Sequence, residues 1–209
     1  MKRAAIFLFL VLLAVLSLGK GNLILYGWSD YIPEEVIENF SKEYDVRVTY
    51  DTYDSNETMF AKLKAGARGY DLAMPSADYT SIMIKENMLL KIDRSKIDNL
   101  INIDPDIIEQ MYYDPNNEYS IPYMVGTTGI AVNTLYLQDY PRSWEIFQIP
   151  ELRGKMTLLD DMREVFGAAL KYLGYSVNTT DEAQLKEAKA LIMEWKKNIA
   201  KFDNELFAK

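Results

Sequence analysis

The chain has 209 residues, 31 acidic and 23 basic side chains, a net charge of −8, and neither histidine nor cysteine. Those absences exclude disulfides, thiolate nucleophiles, Ser-His-Asp catalysis and most zinc sites, and the acidic balance repels nucleic-acid phosphates. With 49% hydrophobic and 26% charged residues, the composition is that of an ordinary globular protein, long enough for one large domain or two small lobes.

The N-terminus carries a compartment signal. Met1-Lys2-Arg3 is basic, Ala4 to Leu16 is an unbroken apolar run, and Ser17-Leu18-Gly19 supplies small residues. At about thirteen residues the run is short for a membrane span and suits a secretory signal peptide. We read residues 1–19 as that peptide, cleaved near Gly19, with a retained anchor as the alternative.

Strand and helix patterns then alternate. Leu23–Tyr26 reads as a strand, followed by the loop Gly27-Trp28-Ser29-Asp30-Tyr31. Pro33 opens a helix to Tyr44 with Val36, Ile37 and Phe40 on one face, proline being favoured in a first turn. Val46–Tyr50 is a β-branched strand, and Ser55–Gly66 a helix capped by Ser55 or Asn56 and stopped by Gly66. Asp71–Met74 reads as a third strand, Pro75–Asp78 as a turn, and Tyr79–Asn87 as a third helix. This β-α-β-α-β-α order predicts an α/β fold with a parallel sheet.

From Leu90 to Glu118 the rhythm breaks into turn chemistry, including Asp104-Pro105 and Asp114-Pro115. Tyr119–Met124 and Gly129–Asn133 look extended, and we read them as the crossover from a first lobe over residues 20–125 to a second over 126–209. In the second lobe Pro141–Trp144 opens a short helix and Met156–Leu159 is a strand. The loop Asp160–Glu164 enters a helix ended by Gly174. Asn178–Asp181 caps a helix to about Lys197, and Ile199–Phe202 is a further strand candidate.

Three loops thus follow the carboxyl ends of strands, where an open α/β sheet presents its binding crevice. They carry Trp28 to Tyr31, Ser76 to Asp78, and Asp161 to Glu164. Aromatic faces beside a carboxylate suit an organic cation. Helix N-termini facing such a crevice favour anions, so Asp30, Asp161 and Glu164 would have to overturn that field to hold an amine. Each residue also has a plainer role available. Trp28 can be core, Ser76 a turn residue, and Asp161-x-x-Glu164 a capping box; a cap uses only one carboxylate oxygen, so capping and amine binding can coexist there.

The stretches LYGWSDYIPEEVIENFSKEYDVRVTYDTYDSNETMFAKLKAG, YDLAMPSADY, KIDRSKIDNLINID, DPNNEYSIPYMVGTTGIAVN and LLDDMREVFGAALKYLGYSVNTTD resemble periplasmic spermidine/putrescine-binding proteins of ABC transporters. The resemblance covers nearly all of the chain after the signal peptide. It implies a two-lobe periplasmic-binding-protein fold of type II, a polyamine ligand held between the lobes, a membrane permease as partner, a periplasmic location, and no catalysis, cofactor or metal. By the same resemblance Trp28 is an aromatic wall against the polyamine methylenes, and Ser29 and Asp30 approach an amine. Tyr31 is a further cleft aromatic, and Ser76 lies on the floor of the first lobe. Asp161 and Glu164 are the second lobe's carboxylates. Asp78 stands where family members often carry an aromatic residue, which leaves the preferred polyamine open.

Family chains are longer than this one, so the second lobe is expected to be incomplete and a non-binding fragment is one alternative. A same-fold binder of another small ligand is a second. A third is an extracellular hydrolase using Asp30 and Asp161 as paired carboxylates, which would need one of them protonated.

Overall fold

The first strand, β1 (Gly21–Trp28), runs past its apolar core at both ends because β2 (Val46–Tyr53) pairs with it in parallel, residue for residue, from Gly21↔Val46 to Trp28↔Tyr53. The computed structural model describes residues 21–204; the expected signal peptide over 1–19 lies outside them. The chain divides between Pro122 and Tyr123 into two units, each with its own core.

In the first unit, β3 (Leu72–Ala73) lies on the other side of β1, giving a three-stranded parallel sheet in the order β2-β1-β3. The helices are α1 (Glu34–Glu43), α2 (Asn56–Lys64) and α3 (Ala77–Lys85). Ser55 is the cap of α2: its side chain accepts from the Thr58 amide. That helix ends where Gly66 takes φ +94, with the Ala67 amide bonded back to the Lys62 carbonyl, a termination in which glycine avoids the Cβ penalty of the left-handed region. Tyr26, Tyr53, Met59 and Met83 form the core between sheet, α2 and α3. The apolar face of α1 is left largely uncovered: Val36 is 55% exposed and Phe40 40%.

The structure departs from the sequence expectation in several places. The third strand keeps only two ladder residues. Helix α3 starts at Ala77, so Asp78 sits in its first turn rather than in the preceding turn. Tyr119–Met124 and Gly129–Asn133 form no ladder; an extended segment becomes a strand only beside a partner that takes up its amides and carbonyls, and no described segment does so here. Asp114 instead organises this region. It is 2% exposed and accepts from the amides of Glu118, Tyr119 and Ser120 and from the Ser120 hydroxyl.

Between α3 and the second sheet lie only short helical pieces, among them α4 (Pro105–Glu109) and a 3-10 turn over Trp144–Gln148. In the second unit, β4 (Met156–Leu158) pairs in parallel with β5 (Ile199–Phe202), with a bulge between Met156 and Thr157. Helix α5 (Met162–Tyr172) buries Val165, Ala168 and Ala169, the i, i+3, i+4 spacing of one helical face. Helix α6 (Glu182–Trp195) buries Ala188 and Trp195, and together these residues centre the second core.

Candidate functional site

Parallel pairing brings the carboxyl ends of β1, β2 and β3 to one edge of the first sheet. In-register pairing sets Tyr53 opposite Trp28, and their rings lie 4.8 Å apart. Trp28 in turn is 6.1 Å from the ring of Tyr31 in the loop beyond. Toward the interior, Tyr53 meets Tyr26 edge-on at 5.0 Å and Tyr26 stacks on Tyr70 at 4.4 Å. A row of five rings therefore runs through the core, from half-buried Tyr70 past buried Tyr26 and Tyr53 to the carboxyl edge of the sheet. Trp28, half-buried, and Tyr31, 38% exposed, form its outer end.

The row is fixed from both sides. The Tyr53 hydroxyl donates to the Met74 carbonyl, and burial pushes its pKa up, keeping it a donor. On the opposite face of the sheet, the Tyr50 hydroxyl donates to the Trp28 carbonyl. Tyr50 can cross there only because Gly27 has no side chain: a Cβ at residue 27 would lie 2.6 Å from the Tyr50 oxygen and 2.7 Å from the Met74 sulfur.

Beneath the inner rings, the Lys62 ammonium lies 4.6 Å from the Tyr26 centroid and 5.1 Å from that of Tyr70, and 3.1 Å from an Asp51 oxygen. The Tyr70 hydroxyl donates to the same oxygen. Those two hydrogen bonds, Tyr70 first and Lys62 second, hold the Asp51 pKa below its ordinary value. The first unit thus already holds one ammonium of its own between aromatic faces and a carboxylate.

Ser29 and Asp30 are exposed in the turn after β1, and Asp30 takes φ 61. Aspartate tolerates this left-handed region better than most residues. Ser76 is the N-cap of α3, yet its side chain makes no cap bond. Its hydroxyl instead accepts from Asn56 Nδ2 at 2.9 Å, while its amide donates to Asn56 Oδ1 at 3.1 Å. Asp78 is half-buried in the first turn of α3, where the helix dipole favours its negative charge. Among the described residues neither Asp30 nor Asp78 makes a hydrogen bond or ion pair through its carboxylate.

In the second unit, Asp161 follows β4 and caps α5, one oxygen accepting from the Glu164 amide at 3.0 Å. Glu164 is therefore the third residue of the helix and not part of the loop before it. Only half of a capping box forms: among the described residues the Glu164 carboxylate has no partner. The neighbouring Arg163 is turned away, bonding the Val177 carbonyl at 3.0 Å and the Asn178 side chain. The loop is anchored by a reciprocal pair at 2.9 and 3.1 Å, the Asp160 amide to the Asn204 oxygen and the Asn204 amide group to the Asp160 carbonyl.

The structure places Trp28, Ser29, Asp30, Tyr31, Ser76 and Asp78 along one sheet edge of the first unit, and Asp161 and Glu164 at one helix start of the second, where the sequence expectation is three loops. That expectation missed Tyr50, Tyr53 and Asn56. With β2 read only as far as Tyr50, Tyr53 fell outside any strand; carrying the parallel register to Trp28 would have found it.

Residues 35–206 match the family described as bacterial extracellular solute-binding protein, and the chain belongs to that family. The fold is that of the periplasmic binding proteins, in part of its two-lobe type II form. Among particular relatives, the spermidine/putrescine-binding periplasmic protein of Escherichia coli (strain K12) is 44% identical over 188 residues, which are 89% of this chain and 54% of the relative. The crystal structure of the TpPotD lipoprotein of Treponema pallidum superposes with a TM-score of 0.82 at 49% identity, covering 88% of this chain and 58% of that one. The spermidine/putrescine ABC transporter substrate-binding protein PotD of Streptococcus pneumoniae gives 0.68 at 38% identity, covering 88% and 57%. The chain spans about half the length of the curated relatives it matches. These relatives are binding proteins, and the hydrolase alternative finds no support among them. Among the described residues no helix is long and apolar enough to cross a membrane.

Proposed function

We propose that this chain serves polyamine capture outside the cytoplasm, binding spermidine or putrescine between two lobes and delivering it to an ABC-transporter permease. In this reading residues 1–19 are a cleaved signal peptide, and the lobes span 20–125 and 126–209. Trp28 and Tyr31 cover the methylene chain. Ser29, Asp30, Ser76 and Asp78 on the first lobe and Asp161 and Glu164 on the second receive the ammonium groups.

The observation that carries this reading is the pairing of an aromatic end-wall, Trp28 and Tyr31, with the adjacent Asp30, whose carboxylate is unpaired among the described residues. An ammonium has only donors and needs such acceptors, and its methylenes need an apolar face. Charge-assisted contacts of this kind contribute roughly 1.5–3 kcal/mol each. The named ligands of the relatives in Escherichia coli and Streptococcus pneumoniae point the same way.

A fluorescence titration of the full chain with spermidine and putrescine tests it. Saturable change is expected in the wild type, and its amplitude should fall in Trp28→Phe. A wild-type signal that stays flat at millimolar concentrations of both amines would contradict the proposal.

A further inference from the structure

The geometry points to Asn56 as a positioning residue that sets Ser76 for the ammonium site, an inference that rests on the polyamine reading above. Asn56 is the first residue of α2, a place normally open to solvent, yet it is 3% exposed. Asparagine is seldom buried to that degree, and its amide must then be satisfied by the protein. Both of its side-chain hydrogen bonds go to one residue, Ser76, twenty positions on: Nδ2 donates to the Ser76 hydroxyl at 2.9 Å and Oδ1 accepts from the Ser76 amide at 3.1 Å.

This clamp changes what Ser76 does. A serine at an N-cap ordinarily turns its oxygen onto the amides of its own helix. Here the oxygen is drawn away from α3 and makes no cap bond. One lone pair is occupied by Asn56, and the other remains to accept from an ammonium. The clamp is also one of the bonds that hold the loop in place. The β3 ladder ends at Ala73; beyond it the Met74 amide bonds the Tyr26 carbonyl, the Tyr53 hydroxyl bonds the Met74 carbonyl, and the Ser76 carbonyl accepts from Thr80, while the Ser76 amide and hydroxyl are held by Asn56. Asn56 touches no ligand in this scheme; it acts through Ser76.

Isothermal titration of the full chain with spermidine is the test, in wild type, N56A, S76A and the double variant, with thermal melts run on each. Both single variants are expected to weaken binding about five- to tenfold, as for the loss of one hydrogen bond. The double variant should be no weaker than S76A, because the Asn56 effect passes through Ser76. N56S, which suits a first helical turn but cannot reach both Ser76 groups, is expected to match N56A and covers the case in which the alanine variant does not fold. If N56A and N56S bind as tightly as wild type, or if their loss adds in full to that of S76A, the positioning role is overturned and the polyamine reading stands. If the wild type takes up no spermidine, that reading falls and this inference with it.

Discussion

Gly27 shows how one absent side chain shapes the candidate site. Its missing Cβ lets the Tyr50 ring cross the strand and donate to the Trp28 carbonyl, which fixes the backbone from which the aromatic wall projects. Gly27→Ala should force Tyr50 or Met74 to move, at about 1–3 kcal/mol, with the Trp28 environment changing as well. Thermal melts and near-UV circular dichroism would check this; an unchanged melting temperature and spectrum would refute it. Asp51 makes a second prediction. Its pKa is lowered by Tyr70 and Lys62, so the folded state favours the ionised form. The stabilisation is present above the ordinary value of 3.8 and is lost as pH falls through the lower folded value. Wild type should therefore be more stable than Asp51→Asn near neutrality, with the gap shrinking below about pH 4. The pair is partly exposed, with 43% side-chain exposure on each partner, so the gap should be small. A gap that widens on acidification would show the sign to be wrong.

At the scale of elements, strands of a parallel sheet end together, and the residues just beyond them share an edge without any sequence proximity. That is why the Trp28 ring meets Tyr53, the Tyr53 hydroxyl reaches the Met74 carbonyl just past β3, and Ser76 two residues on is bonded to Asn56 at the start of α2. Helix starts add the carboxylates. Asp161 caps α5 with one oxygen, and the other has no hydrogen-bond partner among the described residues. Asn caps as well as Asp, so Asp161→Asn should leave the melting temperature nearly unchanged, whereas Asp161→Ala should cost about 1 kcal/mol. In spermidine titrations both should bind more weakly, as should Glu164→Gln, whose side chain takes no part in the cap. Affinity that tracked only the cap, lost in the alanine variant and kept in the asparagine one, would remove Asp161 from the ligand's surroundings.

The same elements show what the sequence could and could not reveal. The parallel β-α-β order was legible because apolar runs, caps and Gly66 all punctuate the chain locally. Asp161 was legible as a cap for the same reason. The extended look of Tyr119–Asn133 misled, since β-branched and aromatic residues promise a strand only if a neighbour is there to pair with. Tyr53 and Asn56 were hidden because their roles depend on register and on a contact twenty residues away. The exposed face of α1 was hidden too: Val36 and Phe40 have the spacing of a buried face and yet are exposed.

In the molecule as a whole, charge is set against charge. Parallel sheets turn helix N-termini toward their carboxyl edges, and those ends favour anions. This chain places Asp78, Asp161 and Glu164 at helix starts and Asp30 in the turn after β1, and carries 31 acidic residues against 23 basic. Its net charge of −8 also draws cations from solution. We propose that these carboxylates reverse the native preference of the fold. Calorimetric titration of the full chain with spermidine, inorganic sulfate and a neutral diol of matching length tests it most directly. Saturable heat with spermidine and none with sulfate or the diol is the predicted result; saturable heat with sulfate or the diol, and none with spermidine, would contradict it.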